Sequence, residues 1–486
     1  MAIEEANLEE INQRGLFGRI AGYMRLTGPG YLQSAMTLGS GTAAACLLSG
    51  WAFGYKLLWV QPVAMLMGVI VFAAIAKQTL HNDERPYEVF WKRLHPLMAL
   101  AWGLSALFAS IYWNIPQYAI AVSSVADLGE VIGMGTVEKT IEGQTVTLAV
   151  TQTKTAKWII GLVILAICIV LSWAYSQRGR WVRVYERLIK VVVWGMVLAF
   201  AWVAIATGIQ WGEMFKGLVG FHIPSLSNTD GMVILLGGLS AAVGINMVFL
   251  YPYSLRQRDW GKEHEGLAQY DLISGMFIPF SIASILVIVA TANTIGPEGV
   301  SPLDEKPASM VNLIPIMSKT LGSNIAPLVL GLGLFAMGLS SITVQMVAAG
   351  FTAVEILGMK HGGWGHRICM LLPAPVGIFG SVTLKPLDFA VHVSAVMVIF
   401  LPLVYIGFLI LNNKKSHLGE ATPRGGTRVL WNIGLALAIA VVTIASVVVA
   451  YSKVKSKFFT KVPAAESASR EAPAQTAAAP HVVIVR

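Results

Sequence analysis

Two apolar stretches of the chain are interrupted at depths where a membrane helix would normally be continuous. The first breaks at Leu38-Gly39-Ser40-Gly41-Thr42, and another carries Gly237, Gly238 and Gly244 ahead of Ile245-Asn246-Met247 and Tyr251-Pro252. A break inside a bilayer frees backbone carbonyl and N–H groups that can hold an ion or a polar solute. The side chains converging on the two breaks are Ser34, Thr37, Ser40, Thr42, Asn246, Met247, Ser340, Ser341, Thr343 and Gln345. Hydroxyls, amides and carbonyls suit a neutral polar solute, a monovalent ion or a hydrated cation. The candidate binding set is Gly39, Ser40, Gly41, Thr42, Gly244, Asn246, Met247, Ser340, Ser341 and Thr343, with Thr42 and Asn246 as the candidate metal ligands. Met36 or Met247 could offer a thioether to a soft metal, although methionine in a packed span is more often a gap-filler.

Other groups could carry protons or line the path. An ionisable residue within the membrane is a functional candidate by default, which singles out His392; a histidine bonded to a nearby carbonyl is the plainer alternative. Asn114 lies beside Pro116 and Gln117, where it either lines the pathway or relieves the proline break. Carboxylates are missing from the central part of every apolar run, since Glu355 and Asp388 fall at run ends. Trp51, Trp59, Trp91, Trp102, Trp113, Trp181 and Trp194 mostly fall near run ends, where an interfacial belt explains them. Nucleotide-binding, zinc-protease, redox-cysteine and nucleophile-elbow motifs do not occur in a suitable context, so neither an enzyme nor a cofactor is expected.

Composition agrees with a membrane body. The chain has 486 residues, 55% of them apolar and 13% charged, and a mean hydropathy of +0.66, whereas soluble domains carry roughly 25% charged residues. Cys46, Cys168 and Cys369 lie in or beside apolar runs without metal or redox spacing and read as small core residues. Eleven runs of near-spanning length recur at about 31–50, 55–77, 97–127, 157–175, 187–208, 231–254, 269–293, 325–356, 367–384, 386–411 and 428–451. The ninth, which contains Pro373 and Pro375, has the weakest pattern. The interrupted runs are the first and the sixth, matching positions in two successive sets of five, which points to an inverted-repeat transporter with a site at midplane.

The breaks and their flanks resemble a known family. Gly28, Pro29, Gly30 and Tyr31 before the first break, then Phe53-Gly54-Tyr55 through Trp59, are similar to the first helix and following loop of NRAMP (natural resistance-associated macrophage protein) divalent metal transporters. The eighth run, from Gly338 through Ser340, Ser341 and Thr343 to Glu355, resembles that family's Ser-Ser helix, and Leu401-Pro402 fits its tenth. The resemblance implies an all-α membrane protein of about eleven helices with the LeuT-type fold of the amino-acid/polyamine/organocation superfamily, a 5+5 inverted repeat with helices 1 and 6 broken. It also implies metal-cation transport coupled to protons. The binding motifs differ: Gly39, Ser40, Gly41 and Thr42 stand where the family has Asp-Pro-Gly-Asn. Asn246, Met247, Val248 and Phe249 stand where it has Met-Pro-His-Asn, and the glutamine of the tenth helix becomes Ala395 or Phe400.

Placing each Lys and Arg gives an orientation. With the N-terminus in the cytoplasm, 21 of the 35 basic residues fall on the inner side, 8 in the outer loops and 6 in the tail. The +9 net charge therefore reports topology and not a nucleic-acid partner. The expected organisation is a cytoplasmic segment 1–27 with an interfacial helix at 15–26, a transporter domain 28–452 and a disordered tail 453–486. Within the domain, repeat one covers about 28–208, repeat two about 231–411, and an extra helix 428–451. A hairpin is expected at about 131–156. The expected setting is a bacterial inner or plasma membrane, and the expected partners are the bilayer and the transported ion or solute. Three readings stay open at this stage: a metal-cation transporter, a carrier of a neutral or zwitterionic organic solute, and a non-transporting sensor or scaffold.

Overall fold

The computed structural model describes residues 2–141, 144–177, 179–225, 229–297, 299, 325–383 and 398–459. Its first half runs α1 (Ala2–Gln13), α2 (Leu16–Leu26), α3 (Pro29–Thr37), α4 (Ser40–Phe53), α5 (Val60–Leu80), α6 (Pro86–Val89), α7 (Pro96–Val131), α8 (Lys154–Ser176), α9 (Arg180–Ala206) and α10 (Trp211–Val219). The second continues with α11 (Thr229–Ala241), α12 (Ile245–Gln257), α13 (Glu265–Asp271), α14 (Ile278–Thr294), α15 (Ile325–Ile356), α16 (Trp364–Cys369), α17 (Pro373–Thr383), α18 (Leu401–Asn412), α19 (Lys415–Leu418) and α20 (Gly425–Phe459). Among the described residues seven helical stretches are long and apolar enough to cross a membrane by themselves. Two more of the expected spans are pairs of half-helices, α3 with α4 and α11 with α12, and their gaps fall at Leu38-Gly39 and 242–244.

Local chemistry explains the ends. Pro29 and Pro96 sit in the first turns of α3 and α7, where a missing N–H leaves no helical bond unmade. The Thr153 hydroxyl caps α8 by accepting the N–H of Ala156 at 3.2 Å. Pro116 lies inside α7 without ending it, and the Asn114 amide donates to Ser110 O at 2.9 Å. The ninth expected span is two short helices, α16 and α17, because Pro373 starts a new helix instead of continuing the old one. The seventh span is continuous only through a π-helical turn at Leu272–Phe277 that joins α13 to α14.

A hairpin of β1 (Thr136–Ile141) and β2 (Gln144–Ala149) follows α7, antiparallel with Thr136 opposite Ala149. α20 runs on to Phe459, seven residues past the end expected for the transporter domain. One end of the bundle gathers the basic connections. Arg258 donates to Leu26 O at 2.9 Å, Arg256 to Asn82 O at 2.8 Å, and Lys414 to Arg93 O at 2.8 Å. Tyr55, Asn293 and Gly208 meet at the opposite end. The N-terminal end thus carries the connections in which the sequence concentrates positive charge.

Candidate functional site

The two breaks lie against each other. The Thr37 hydroxyl, last in α3, donates to Ala242 O at 2.8 Å, across to the gap between α11 and α12. Two half-helices therefore end at one point and two others begin there, the arrangement that gathers carbonyl and N–H ends around a midplane site. A cavity of about 30 Å³ opens between them, walled by Thr37, Gly41, Thr42, Asn246, Met247 and Gln345 among others. That volume admits an ion or one or two waters and falls well short of the roughly 300 Å³ of a small-molecule pocket.

Each wall residue is held by its own bonds. Thr42 Oγ1 donates to Thr37 O at 2.5 Å, closing the first break on itself. With both threonine protons committed to carbonyls, the Thr37 and Thr42 oxygens have only lone pairs left to offer, which suits a cation. Asn246 Nδ2 donates to Gln345 Oε1 at 2.5 Å and to Ser110 Oγ at 3.3 Å, tying α12 to α15 and α7. Gln117 Oε1 accepts the N–H of Ser40 at 2.9 Å, supplying a partner that the break removes. Among the described residues no carboxylate lines the cavity, and no cluster of three His, Cys, Asp or Glu side chains could hold a metal.

Of the ten candidate binding residues, Gly41, Thr42, Gly244, Asn246 and Met247 line the cavity. Gly39 and Ser40 form the break beside it, and the Ser341 hydroxyl donates to Ala35 O at 2.7 Å, bracing the end of α3 against α15. Ser340 and Thr343 are turned elsewhere: Ser340 donates to Met337 O, and Thr343 donates to Ser340 O while accepting from Tyr185. The Met247 sulfur accepts the N–H of Gly244 at 3.2 Å and so caps its own helix. His392, Asp388 and Ala395 lie outside the described residues.

Trp113 corrects the reading of the tryptophans. Its ring lies over Gly41, where a Cβ would stand 2.5 Å from the ring edge, and it forms part of the cavity wall. Trp102 is fully buried and so does not stand in an interfacial belt, while the half-buried Trp194 donates to Tyr31 Oη at 3.1 Å. Position near a run end does not separate a belt tryptophan from one turned inward. Sequence reading also missed Glu186 and Asp271, both buried at the N-terminal end beside Gly28 and Gly30; the paired glycines were the available signal of a close approach.

Known proteins share this architecture. A divalent metal cation transporter MntH of Brucella suis is 25% identical over 448 residues, covering 90% of this chain and 89% of its own. A manganese transporter from Eremococcus coleocola superposes with a TM-score of 0.68 at 14% identity, over 94% of this chain and 91% of that one. MhsT, solved with L-phenylalanine, superposes at 0.57 with 13% identity over 86% and 98%. These superpositions make the fold LeuT-type, with the breaks in the first and sixth of about eleven helices. The family profile described as Natural resistance-associated macrophage protein-like matches residues 30–451, and the chain belongs to the Nramp family of integral membrane proteins.

Proposed function

We propose that the protein moves a metal cation across the membrane by alternating access around the two breaks, with its N-terminal end in the cytoplasm of a bacterial-type cell. The observation that carries this reading is the cavity where α3, α4, α11 and α12 meet, small enough for an ion and walled in part by the Thr37 and Thr42 oxygens, whose protons are committed to carbonyls. Thr42, Asn246 and the carbonyls of the break serve as ligands, and the cation keeps part of its water shell, because a bare dication at midplane needs charge compensation that neutral oxygens do not supply. The relatives named above as divalent metal and manganese transporters support the cargo class. The size of the cavity disfavours an organic solute, and the bilayer is the partner along the exposed apolar faces.

Uptake of manganese, iron and magnesium into proteoliposomes tests the reading. The wild type is expected to take up at least one, and Thr42→Ala and Asn246→Ala to lower that uptake about tenfold or more. A wild type that moves none of the three removes the proposal.

A further inference from the structure

The helix α9 is longer than a bilayer requires. Its 27 residues rise about 40 Å, whereas a hydrocarbon core is about 30 Å thick. The surplus falls at the N-terminal end of the helix, where the first two turns carry Arg180, Arg183 and Arg187, all exposed. Arginine is costly in hydrocarbon, so these turns stand among the headgroups. The exposed ring of Trp181 suits the same level. Val184, Leu188 and Val191 form an exposed apolar stripe that continues from here into the bilayer. Arg183, Arg187 and Lys190, four and three residues apart, follow one edge of that stripe.

The end of α2 meets α9 at this edge. Lys190 Nζ donates to Met24 O at 2.6 Å and to Thr27 Oγ1 at 2.8 Å. Arg25 is therefore one residue from the contact along α2, and Arg187 is one helical turn from it along α9. Both are exposed, and neither has an ion pair or hydrogen bond among the described residues. Two acids of the neighbouring segments are directed elsewhere: Glu10 pairs with Arg14 at 2.7 Å, and the buried Glu186 faces Arg258 at 3.4 Å. α2 turns Gly22 and Tyr23 inward, against Ile11 and Tyr270, and leaves Leu16, Phe17 and Met24 exposed. The corner thus joins cationic side chains without a protein partner to apolar surface on both helices.

We infer that the corner between α2 and α9 binds an anionic phospholipid, with the headgroup phosphate held by Arg25 and Arg187 and the acyl chains lying along Leu188 and Val191. A guanidinium fork matches a phosphate, and basic groups beside a membrane helix are drawn to anionic lipid. The apolar border favours a lipid over a soluble phosphate, which would gain nothing from Leu188, Val191 or Met24. The exposed face of α2 then rests at the boundary of headgroups and chains. Because α2 leads through Thr27 and Gly28 into α3, the lipid stabilises the folded entry to the first broken span. Assignment to the inner leaflet rests on the N-terminal end facing the cytoplasm; the binding itself does not.

The test uses the full-length protein in a neutral detergent, titrated with phosphatidylglycerol, phosphatidylcholine or glycerol 3-phosphate, with melting temperature as the readout. Phosphatidylglycerol should raise it saturably, and the other two should not. Arg25→Gln with Arg187→Gln should weaken the apparent affinity for phosphatidylglycerol roughly 30-fold, at about fivefold for each basic side chain. Each single variant should lose about fivefold, which keeps the result readable if the double variant does not fold. Lys415→Gln with Arg424→Gln, two exposed basic residues between α18 and α20, should leave the affinity unchanged. An equal rise with phosphatidylcholine overturns the anionic preference, and an equal rise with glycerol 3-phosphate overturns the lipid in favour of a soluble anion. Undiminished affinity in the Arg25 and Arg187 variants, or an equal loss in the Lys415 and Arg424 pair, overturns the site. No cargo enters the measurement, so failure of metal uptake and failure of this inference are separate results.

Discussion

The carboxylate of Asp271 caps α3 by accepting the N–H of Gly30 at 2.5 Å, and its second oxygen accepts that of Gly28 at 2.9 Å. A buried acid at a helix N-terminus is stabilised by both hydrogen bonds and the dipole. Here it ties the first half of the broken span to the π-helical turn between α13 and α14.

Removing that acid should loosen the N-terminal end. Each charge-assisted bond is worth about 1.5–3 kcal/mol, so Asp271→Ala is expected to destabilise the protein by roughly 3 kcal/mol or more. Thermal unfolding in detergent reads this as a clear drop in melting temperature. Gly30→Ala should act in the same direction, because its Cβ would press on the backbone carbonyl of Asp271.

The contact of Gly41 with Trp113 allows a rescue experiment. Gly41→Ala drives a methyl group into the ring edge, an overpacking expected to cost about 1–3 kcal/mol and to displace the cavity wall. Uptake in proteoliposomes should fall, and the double variant with Trp113→Leu should regain part of it. Equal loss in the single and double variants would show that the tight approach is not the cause.

Transport should respond weakly to pH. Among the described residues no side chain that titrates near neutrality lines the cavity, so cation uptake is expected to stay flat from about pH 6 to 8. A dependence centred near about 6.5 that His392→Gln abolishes would instead assign a proton step to His392.

Stability should depend on pH through a buried histidine in the connection after α18. Burial, helped by the charge of Arg93, lowers His417 from its ordinary 6.5 to about 4. Its ring nitrogen bonds to Asn82 at 2.8 Å. The unfolded chain takes up a proton in this window and the folded chain does not, so stability falls as pH drops from 6.5 toward 4. Glu84, held low by its bond to Arg93, adds loss in the same direction under more acidic conditions. Melting temperatures across this range should decline, and less steeply in His417→Asn.

The breaks were legible because glycine and small polar residues inside an apolar run have few other uses, and Leu38-Gly39 and 242–244 are where the helices part. The hairpin and the helix over Leu16–Leu26 were legible for similar local reasons. What depends on distant packing was hidden. Ser340 and Thr343 share the composition of a site residue, yet helix rotation turns their hydroxyls to backbone and to Tyr185. Trp113 lies in the middle of the third run, away from either end, and only the approach of Gly41 reveals its role. The pairing of Asp271 with Gly30 spans 241 positions, a distance over which no local pattern carries information.

A cavity walled by neutral groups also sets the electrical character of the cycle. A dication held there brings no fixed countercharge with it, so both of its charges traverse the membrane field. At about 2.3 kcal/mol per charge per 100 mV, a potential that is negative inside would pull such an ion inward with about 4.6 kcal/mol per 100 mV. The voltage across the membrane would then serve as the driving force for accumulation.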